Sequence, residues 1–494
     1  GYDEDNTFIK LDYDFDENQS LELMHTYKNT FGYYPIMAPD YSSKAALDEA
    51  IASGKFNPNN NGYDKLPQDD PAWNRYHRWW YIFNAGSFTK NRSSNYDVKY
   101  TFNHDDGIDN YIRIFNNENR YYMDRNRPKF TDYTKLDYKQ YSWTKDQAKG
   151  INLRWGKKLN EDNVLYTGFD FTNSTFTEHS YASYYPTTGV FKHGKLSNIE
   201  RDTWNVFIQD KMQFNKLTIT PGLRYNYYGK NTGYSISNKD KRTDYDTDSY
   251  SRLTMGLFTN YAIDDNQNIY ASWSQVYNAP YAPDIASAAN KLEAEKGNAY
   301  TFGYSGQIGK SSFGANYTLT KFDNTFGAFS VPSETDPELF EKKTTNIASD
   351  IQAIGINYGY KFDDNWSANL AYSHAKSSID KKMNTSKDAS YEDLRNNLHY
   401  NNKYSASINY EKDKFNTGLD AILYTGMDTN YFSDNSFLVL DWHANYKIND
   451  NLTAYLLVNN LTNECYETKA VAKEGIGALP MEGRNFMIGL NYTF

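Results

Sequence analysis

Strict alternation of side-chain type constrains this chain more than any other feature of its sequence. In 353–362 the even positions are apolar or aromatic, whereas the odd positions are Ala, Gly, Asn, Gly and Lys. The segments 217–228, 313–320 and 484–494 have the same period of two. Successive side chains of a β-strand point to opposite faces, so each segment is predicted to be a strand with one apolar and one small or polar face.

The connections between these segments alternate in length. Short turns rich in Asp, Asn, Lys and Gly follow every second strand, as at 215–216, 309–310 and 363–365. These residue types form tight turns because they tolerate unusual φ angles or bond to their own backbone. Longer stretches without alternation separate the resulting pairs, at about 32–86, 125–138, 181–198, 230–249, 277–297, 325–345, 379–397, 426–435 and 466–482. This order is typical of an antiparallel barrel with one rim of short turns and one rim of long loops.

Three all-β architectures are compatible with many alternating strands: a soluble sandwich, a propeller and a membrane barrel. The polar faces carry Gly, Ser, Thr, Asn, Asp, Lys and Arg, as a water-filled lumen requires, and aromatic residues lie near strand ends. No repeat of about 40 residues is visible, which disfavours a propeller. We therefore predict an all-β fold, a transmembrane antiparallel β-barrel with long extracellular loops and short periplasmic turns, over residues 1–494.

The composition agrees with a membrane barrel once the residues are divided between the lipid-facing and the lumen-facing side of each strand. Mean hydropathy is −0.84, yet 17% of the residues are aromatic, which a disordered acidic chain would not have. No apolar run of about 18 residues is present, so membrane-spanning helices are not expected. The net charge of −10 argues against nucleic acid as a partner. The single cysteine, Cys465, cannot form an internal disulfide.

Counting the strands gives a further expectation. We find about nineteen, beginning with 6–15 and ending with 483–494, and both of these run towards the short-turn rim. A closed antiparallel barrel of this kind has an even number of strands. The odd count therefore predicts that N-terminal strands are missing from the sequence, unless the region 75–103 is miscounted.

Four segments carry a resemblance to a known family. They are Trp204–Asp210 with Leu217–Tyr225, Ile269–Gln275 with Asn278–Pro280, Leu292–Gly297 with Tyr300 and Gly303–Tyr304, and Val458–Asn463 with Tyr466, Gly483–Arg484 and terminal Phe494. In this order and spacing they resemble the barrel of a TonB-dependent outer-membrane receptor. Asn278, Ala294 and Thr301 replace the family's usual Arg, Pro and Glu.

The resemblance implies a 22-stranded barrel whose lumen holds an N-terminal plug. The plug and about three strands are expected to be missing from this chain. The implied function is active, TonB-dependent uptake across the bacterial outer membrane of a scarce large ligand, in first place a ferric siderophore. A haem or cobalamin receptor of the same family, or a passive porin, is the alternative. The implied partners are outer-membrane lipids, the TonB complex (through the missing N-terminal part) and a small iron chelate. A monomer without intrinsic cofactor or enzymatic activity is expected.

The long segment 32–86 holds the richest candidate binding residues. Arg75, Tyr76, His77 and Arg78 combine cations with aromatic rings, which suits a planar, anionic or catecholate-like ligand. The alternative is an aromatic girdle at the membrane surface, which is the preferred interpretation of the neighbouring Trp79 and Trp80.

Further candidates lie at strand ends that face the long-loop rim. They are Tyr33, Tyr34, Tyr184 and Tyr185, together with Asn278 and Tyr281 in the loop that follows the second resemblance segment. Ligand contact and loop packing both remain open for this group.

The eight histidines have no spacing typical of a metal site, so no metal-ligating residues are predicted. Haem receptors of the family commonly place a His in the loop that corresponds to 281–291, and none is present there. His77 or His193 could substitute. No nucleophile motif or Gly-rich phosphate loop is found, which agrees with a chain that carries out no covalent chemistry.

Overall fold

A computed structural model describes residues 2–33, 87–105, 108–129, 132–186, 188–237, 240–281, 291–332, 340–379, 398–429, 434–473 and 476–493, with the single positions 52, 285, 288 and 432. The regular elements are strands, at β1 (Tyr2–Asp16), β2 (Gln19–Tyr33), β3 (Phe88–Asp105), β4 (Ile108–Lys129), β5 (Asp132–Asn160), β6 (Asn163–Tyr185), β7 (Val190–Lys192), β8 (Lys195–Phe214), β9 (Leu217–Tyr228), β10 (Thr232–Ile236), β11 (Arg242–Asp246), β12 (Tyr250–Asp264), β13 (Gln267–Asn278), β14 (Glu295–Ile308), β15 (Ser311–Pro332), β16 (Phe340–Lys361), β17 (Trp366–Ile379), β18 (Asn402–Lys412), β19 (Phe415–Thr425), β20 (Ser436–Lys447), β21 (Leu452–Asn459), β22 (Glu467–Lys473), β23 (Ile476–Pro480) and β24 (Asn485–Tyr492).

Nineteen of the described strands form one continuous antiparallel wall. Each pairs with the next in chain order, except that β7, β10 and β11 extend hairpins above the wall and β22 pairs with β23 in a separate sheet. The predicted fold class and the count of about nineteen strands are confirmed. Within the described residues β1 pairs only with β2, and β24 only with β21, so these two strands are the edges of the wall.

The wall has the two faces that the alternation predicts. Side chains such as Ile112, Ile114 and Leu153 are exposed on the outer face, whereas the intervening Arg113 and Asn152 lie on the inner face. The outer surface is therefore apolar, as lipid requires, and the inner surface is polar. Among the described residues, no helix is long and apolar enough to cross a membrane.

The long-loop rim is more regular than the sequence predicts. Of the predicted loops 125–138 and 325–345, most residues continue strands, because β4 and β5 are separated only by positions 130–131 and β15 extends to Pro332. Beyond the membrane both faces of a strand meet water, so the apolar–polar alternation disappears while the hydrogen-bonded ladder continues. The ambiguous region 75–103 contains one described strand, β3, which begins at Phe88.

Glycines on the inner face make room for large side chains on the neighbouring strand. The ring of Phe207 lies over Gly168, and the ring of Tyr270 lies over Gly303, each pair being directly opposite in the ladder. A Cβ atom at Gly168 would lie 2.2 Å from a carbon of the Phe207 ring. The glycines of these strands are therefore fixed by close packing.

Gly150 is the most restricted of these positions. A Cβ atom built there would lie 2.1 Å from the backbone oxygen of Phe171 and 2.9 Å from the ring of Phe115, so the strand itself would have to shift. We expect Gly150→Ala to lower the free energy of unfolding by about 1–3 kcal/mol, as overpacking does. The measurement is thermal unfolding in detergent, followed by circular dichroism.

Gly222→Ala is the matched control for this substitution. Gly222 also lies on the inner face of the wall, but its added Cβ atom would meet its nearest neighbours at 3.5 and 3.7 Å, which is ordinary contact. We expect this variant to unfold at or slightly above the wild-type temperature, because alanine restricts the unfolded chain. Equal destabilisation by both variants would contradict the close approach at Gly150.

Candidate functional site

A belt of hydrogen-bonded charged and amide side chains lines the inner wall. It begins on β3, where the carboxylate of the buried Asp97 accepts a 2.6 Å bond from Nε of Arg113 on β4. Arg113 also donates to Oδ1 of Asn152 at 3.3 Å, and Nδ2 of Asn152 donates to Asp170 at 2.8 Å. Four neighbouring strands are connected in this way at one height of the barrel.

The belt continues on the far side of Asp170. Nη2 of Arg224 on β9 lies 2.9 Å from the second carboxylate oxygen of Asp170. Nε of Arg224 donates to Asn226 at 3.2 Å, and Nδ2 of Asn226 donates to the hydroxyl of Thr254 on β12 at 3.1 Å. Asn226 and Thr254 are both buried. Opposite charges alternate along the belt, so each cation is compensated locally.

The arrangement of the belt suits it to binding. Arg113 lies between the lipid-facing Ile112 and Ile114, so the belt runs at membrane height inside the barrel. Its members can exchange hydrogen bonds with whatever occupies the lumen. Within the described part of the chain, no group of three or more His, Cys, Asp or Glu side chains is placed to hold a metal ion.

Above the belt, the connection between β13 and β14 folds back against the inner wall. The hydroxyl of Tyr281 donates to the carboxylate of Asp146 on β5. The Tyr281 ring packs at 6.4 Å from the ring of Phe176, beside the buried Ile199. Burial and the nearby Asp146 carboxylate raise the pKa of Tyr281, so the phenol stays protonated and continues to donate.

Arg201 on β8 holds the same connection through a second contact. Its Nη1 donates to the carbonyl oxygen of Pro280 at 2.6 Å. The guanidinium carbon lies 5.3 Å from the ring centre of Tyr228 and 5.7 Å from that of Tyr281, within the range of cation–π attraction. Arg201 is only 9% exposed. A buried cation between two tyrosines therefore forms part of the inner rim.

The base of this connection is closed by side chains from both of its strands. Nδ2 of Asn278 donates to Glu295 at 2.7 Å, and the other oxygen of Glu295 accepts a bond from Thr325. On the β14 side, the hydroxyl of Tyr250 donates to the carbonyl oxygen of Leu292 at 3.0 Å. Both ends of the connection are thus tied to the barrel wall.

The connection also reaches strands on its other side. Ala288 forms an isolated parallel bridge with Thr344 on β16, whose side chain is fully buried. The contacts of this one connection therefore extend from Asp146 on β5 to Thr344 on β16, eight steps apart along the wall. The described residues of this connection are therefore held to the wall at two points far apart around the barrel.

Two of the predicted binding residues, Asn278 and Tyr281, come together at this rim, where Tyr228 and Arg201 link them. Tyr33 lies elsewhere, at the end of β2, where it is exposed and packs edge-on against Phe31. Tyr184 and Tyr185 lie on the β6–β7 hairpin. Tyr184 pairs with Phe191, and the ring of Tyr185 lies 5.1 Å from Nζ of Lys192.

The remaining predicted residues, Tyr34, Arg75, Tyr76, His77 and Arg78, lie outside the described residues. The sequence prediction missed Arg201 and Asp146 at the rim. It also missed the belt, although a signal existed: a charged residue flanked by two apolar strand neighbours, as Asp97 is by Tyr96 and Val98, must face the lumen. No comparable signal identifies Asp146, because its partner Tyr281 is 135 residues away.

Comparison with known proteins gives a family match. A family model described as TonB dependent receptor-like, beta-barrel, matches residues 39–461. The ferric-pyoverdine 358 receptor of Pseudomonas putida is 21% identical over 310 residues, which cover 56% of this chain and 37% of that receptor. The chain thus matches little more than a third of the length of this curated relative.

Solved structures are similar in fold at low identity. The copper transporter OprC matches with a TM-score of 0.73 at 13% identity, over 100% of this chain and 72% of its own. The siderophore receptor PiuA from Acinetobacter baumannii matches with a TM-score of 0.71 at 13% identity, over 99% of this chain and 74% of its own.

The family model covers most of the chain, and the described strands form the antiparallel wall with a polar lumen that such a barrel requires. The chain therefore belongs to the TonB-dependent receptor β-barrel family, whose members are transport receptors of the bacterial outer membrane and not enzymes.

Proposed function

We propose that this chain forms the barrel of a receptor for active uptake of a scarce iron chelate, in first place a ferric siderophore. Coupling to the TonB complex and a plug in the lumen are properties of the family, and they are proposed here for the whole protein. Outer-membrane lipids surround the barrel, which acts as a monomer. The single observation that carries the proposal is that Tyr281 and Arg201 tie the β13–β14 connection to the inner rim.

Relatives support an iron chelate as ligand. The name of the Pseudomonas putida relative specifies ferric pyoverdine, and the Acinetobacter protein is described as a siderophore receptor. OprC, which has the same fold, is described as a copper transporter, so copper is the second candidate cargo. The binding experiment therefore has to include both ferric chelates and copper.

The geometry of the rim supports a large polar ligand. Arg201, Tyr228 and Tyr281 place a cation between aromatic rings on the inner side of the mouth, and Asn278 adds an amide. Cations and ring faces are suited to anionic, flat chelates. The loop residues Arg75, Tyr76, His77 and Arg78, with Tyr33, Tyr34, Tyr184 and Tyr185, remain proposed contacts on the sequence argument.

A ligand panel tests the proposal on the full-length protein. We expect ferric pyoverdine or a ferric catecholate to quench tryptophan fluorescence saturably, while haem and Cu²⁺ do not. Arg75→Ala with Arg78→Ala should weaken that binding at least about 100-fold, because two charge-assisted bonds of about 1.5–3 kcal/mol each are lost. Arg242→Ala is the control, since Arg242 is an exposed rim arginine already paired with Asp244.

Other outcomes of the panel would replace the proposal. Saturable binding of haem alone, or of Cu²⁺ alone, would assign a different cargo to the same barrel. Steady ion conduction by the full-length protein in planar bilayers, together with no ligand binding, would identify a passive porin.

The tether of the β13–β14 connection gives a second expectation. Tyr281→Phe keeps the ring but removes the bond to Asp146, so the connection should open more often. A hydrogen bond to a charged group contributes about 1.5–3 kcal/mol, which corresponds to about 10- to 150-fold faster amide exchange. The measurement is hydrogen–deuterium exchange of the backbone amides in 277–281 and 291–295, followed by mass spectrometry.

Tyr234→Phe serves as the matched control, because the Tyr234 ring packs at 4.4 Å against the Arg242 guanidinium and this contact does not need the hydroxyl. Its exchange in the same peptides should equal that of the wild type. Unchanged exchange in Tyr281→Phe would mean that the Asp146 bond does not hold the connection.

His193, a sequence candidate for haem ligation, is engaged in a contact of its own. Its Nδ1 lies 2.9 Å from the carbonyl oxygen of Gly194, and its Nε2 lies 2.6 Å from Oδ1 of Asp240. Both partners accept hydrogen bonds, so both ring nitrogens donate only when the imidazole is protonated. The bonds to Gly194 and then to Asp240 raise the pKa of His193.

Because the pKa of His193 is raised, its contact with Asp240 weakens as pH rises. The contact with Asp240 is fully formed below the ordinary histidine pKa of about 6.5, and it is lost as pH rises through the raised value. We expect an NMR titration of the His193 ring to give a pKa above the ordinary one, and Asp240→Asn to lower it. A pKa at or below 6.5 in the wild type would contradict the contact.

A further inference from the structure

A cluster of cations lies on the outer wall of the barrel, away from the lumen site. Four positively charged side chains, two tyrosines, a tryptophan and a threonine surround a surface cavity of about 500 Å³ on strands β3, β4 and β5. Its lining residues are Lys90, Arg92, Arg120, Tyr121, Tyr122, Trp143, Thr144 and Lys145. No carboxylate is among them, although the whole chain has a net charge of −10.

The register of the strands places the cations on the lipid side. On β4, Arg120 is an even position, like the exposed Ile112 and Ile114. In the ladder Arg120 is opposite both Arg92 of β3 and Lys145 of β5, so all three side chains share that face. The cluster is therefore separated by the wall from the belt of Asp97 and Arg113.

The height of the cluster can be read from β4. Arg120 is twelve residues beyond Ile108, where the strand begins, or about 40 Å along the strand. A strand tilt of about 40° reduces this to about 30 Å along the barrel axis, whereas the lipid-facing apolar band is about 25 Å tall. Arg120 thus lies just beyond the hydrocarbon on the long-loop side, at the level of the lipid headgroups.

The local charge is only partly neutralised. Glu118 is the carboxylate that contacts the cluster, at 2.5 Å from Nε of Arg120 and 2.9 Å from Nζ of Lys145. Arg92 donates to the amide oxygen of Asn29 at 3.3 Å. Within the residues that the structure describes, neither Lys90 nor Arg92 forms an ion pair with a carboxylate. Asp124, at an even position of the same strand, acts electrostatically on Tyr122 of the lining. Four cations against these two carboxylates leave an excess of positive charge at the membrane surface.

Aromatic side chains adjoin the cations on the same face. Trp143 is opposite Tyr122 in the ladder, and the Tyr122 ring packs at 5.9 Å from that of Phe88. Trp and Tyr concentrate at membrane interfaces because one end of the ring system tolerates water and the other tolerates lipid. The surface therefore combines anchors for a lipid with donors for an anion.

We propose that this surface binds the phosphate-bearing headgroup of a lipid in the outer leaflet. Arginine and lysine bind phosphate through charge-assisted hydrogen bonds, and arginine can form two at once. Basic clusters beside a membrane attract anionic lipids. The cargo of the receptor is excluded as the intended occupant, because the surface faces lipid and not the lumen.

The experiment uses the full-length protein in detergent. The probe is diphosphorylated lipid A, and dephosphorylated lipid A is the control lipid. Native mass spectrometry counts bound lipid. We expect retention of the diphosphorylated lipid at least tenfold above that of the dephosphorylated one, decreasing with added salt. Substituting the four cations with Gln (Lys90, Arg92, Arg120 and Lys145) should reduce retention at least tenfold.

The control variant lacks four cations at the short-turn rim, because Lys157, Lys158, Lys412 and Lys414 are replaced by Gln. It should retain lipid like the wild type. If the patch variant does not fold, Arg92→Gln alone should reduce retention at least twofold, since Arg92 is exposed. Equal retention of both lipids, or retention unaffected by either patch variant, would overturn the proposal. If millimolar inorganic phosphate displaces the lipid, the surface binds free phosphate, and the proposal of a lipid headgroup would be overturned.

Discussion

The unbroken antiparallel ladder is the constraint on which the rest of this molecule depends. Inside a bilayer no water is available to backbone groups, so every N–H and C=O of a spanning strand must bond to a neighbouring strand. Eighteen successive antiparallel pairings meet this demand for the seventeen described wall strands that lie between the edge strands β1 and β24. Because the ladder fixes the register, it also fixes which side chains face lipid and which face the lumen. The positions of Arg113 and Arg120, one inside and one outside, follow from a single strand register.

One group of strands consequently presents three different surfaces. On β3 to β5, the inner face carries the Asp97–Arg113 pair, the lower outer face carries Ile114, and the upper outer face carries Arg120. In the lumen a guanidinium is compensated by a buried carboxylate, whereas at the headgroup level the cations outnumber the carboxylates beside them. The difference arises from environment, because a buried cation without a partner is costly and a cation at the membrane surface is not.

The sequence predicted the wall well and the rim poorly, for a physical reason. Within the membrane one face must be apolar, so alternation marks each strand and the turns between them, and the count of about nineteen was right. Above the membrane both faces meet water, and in 125–138 and 325–345 nothing in the pattern separates strand from loop. Contacts such as Tyr281 with Asp146 join residues far apart in the chain, and they depend on how a connection folds, which alternation does not encode. Arg75 and Arg78 remain predictions from sequence.

The pairing of glycines with large rings has a mechanical consequence. Phe207 and Tyr270 lie along the wall over Gly168 and Gly303, so the rings do not project into the lumen. At these two places the inner wall is smoother than its aromatic residues would indicate. A body that moves past these two places meets flat ring faces. At these places, residues without a side chain keep aromatic rings out of the lumen.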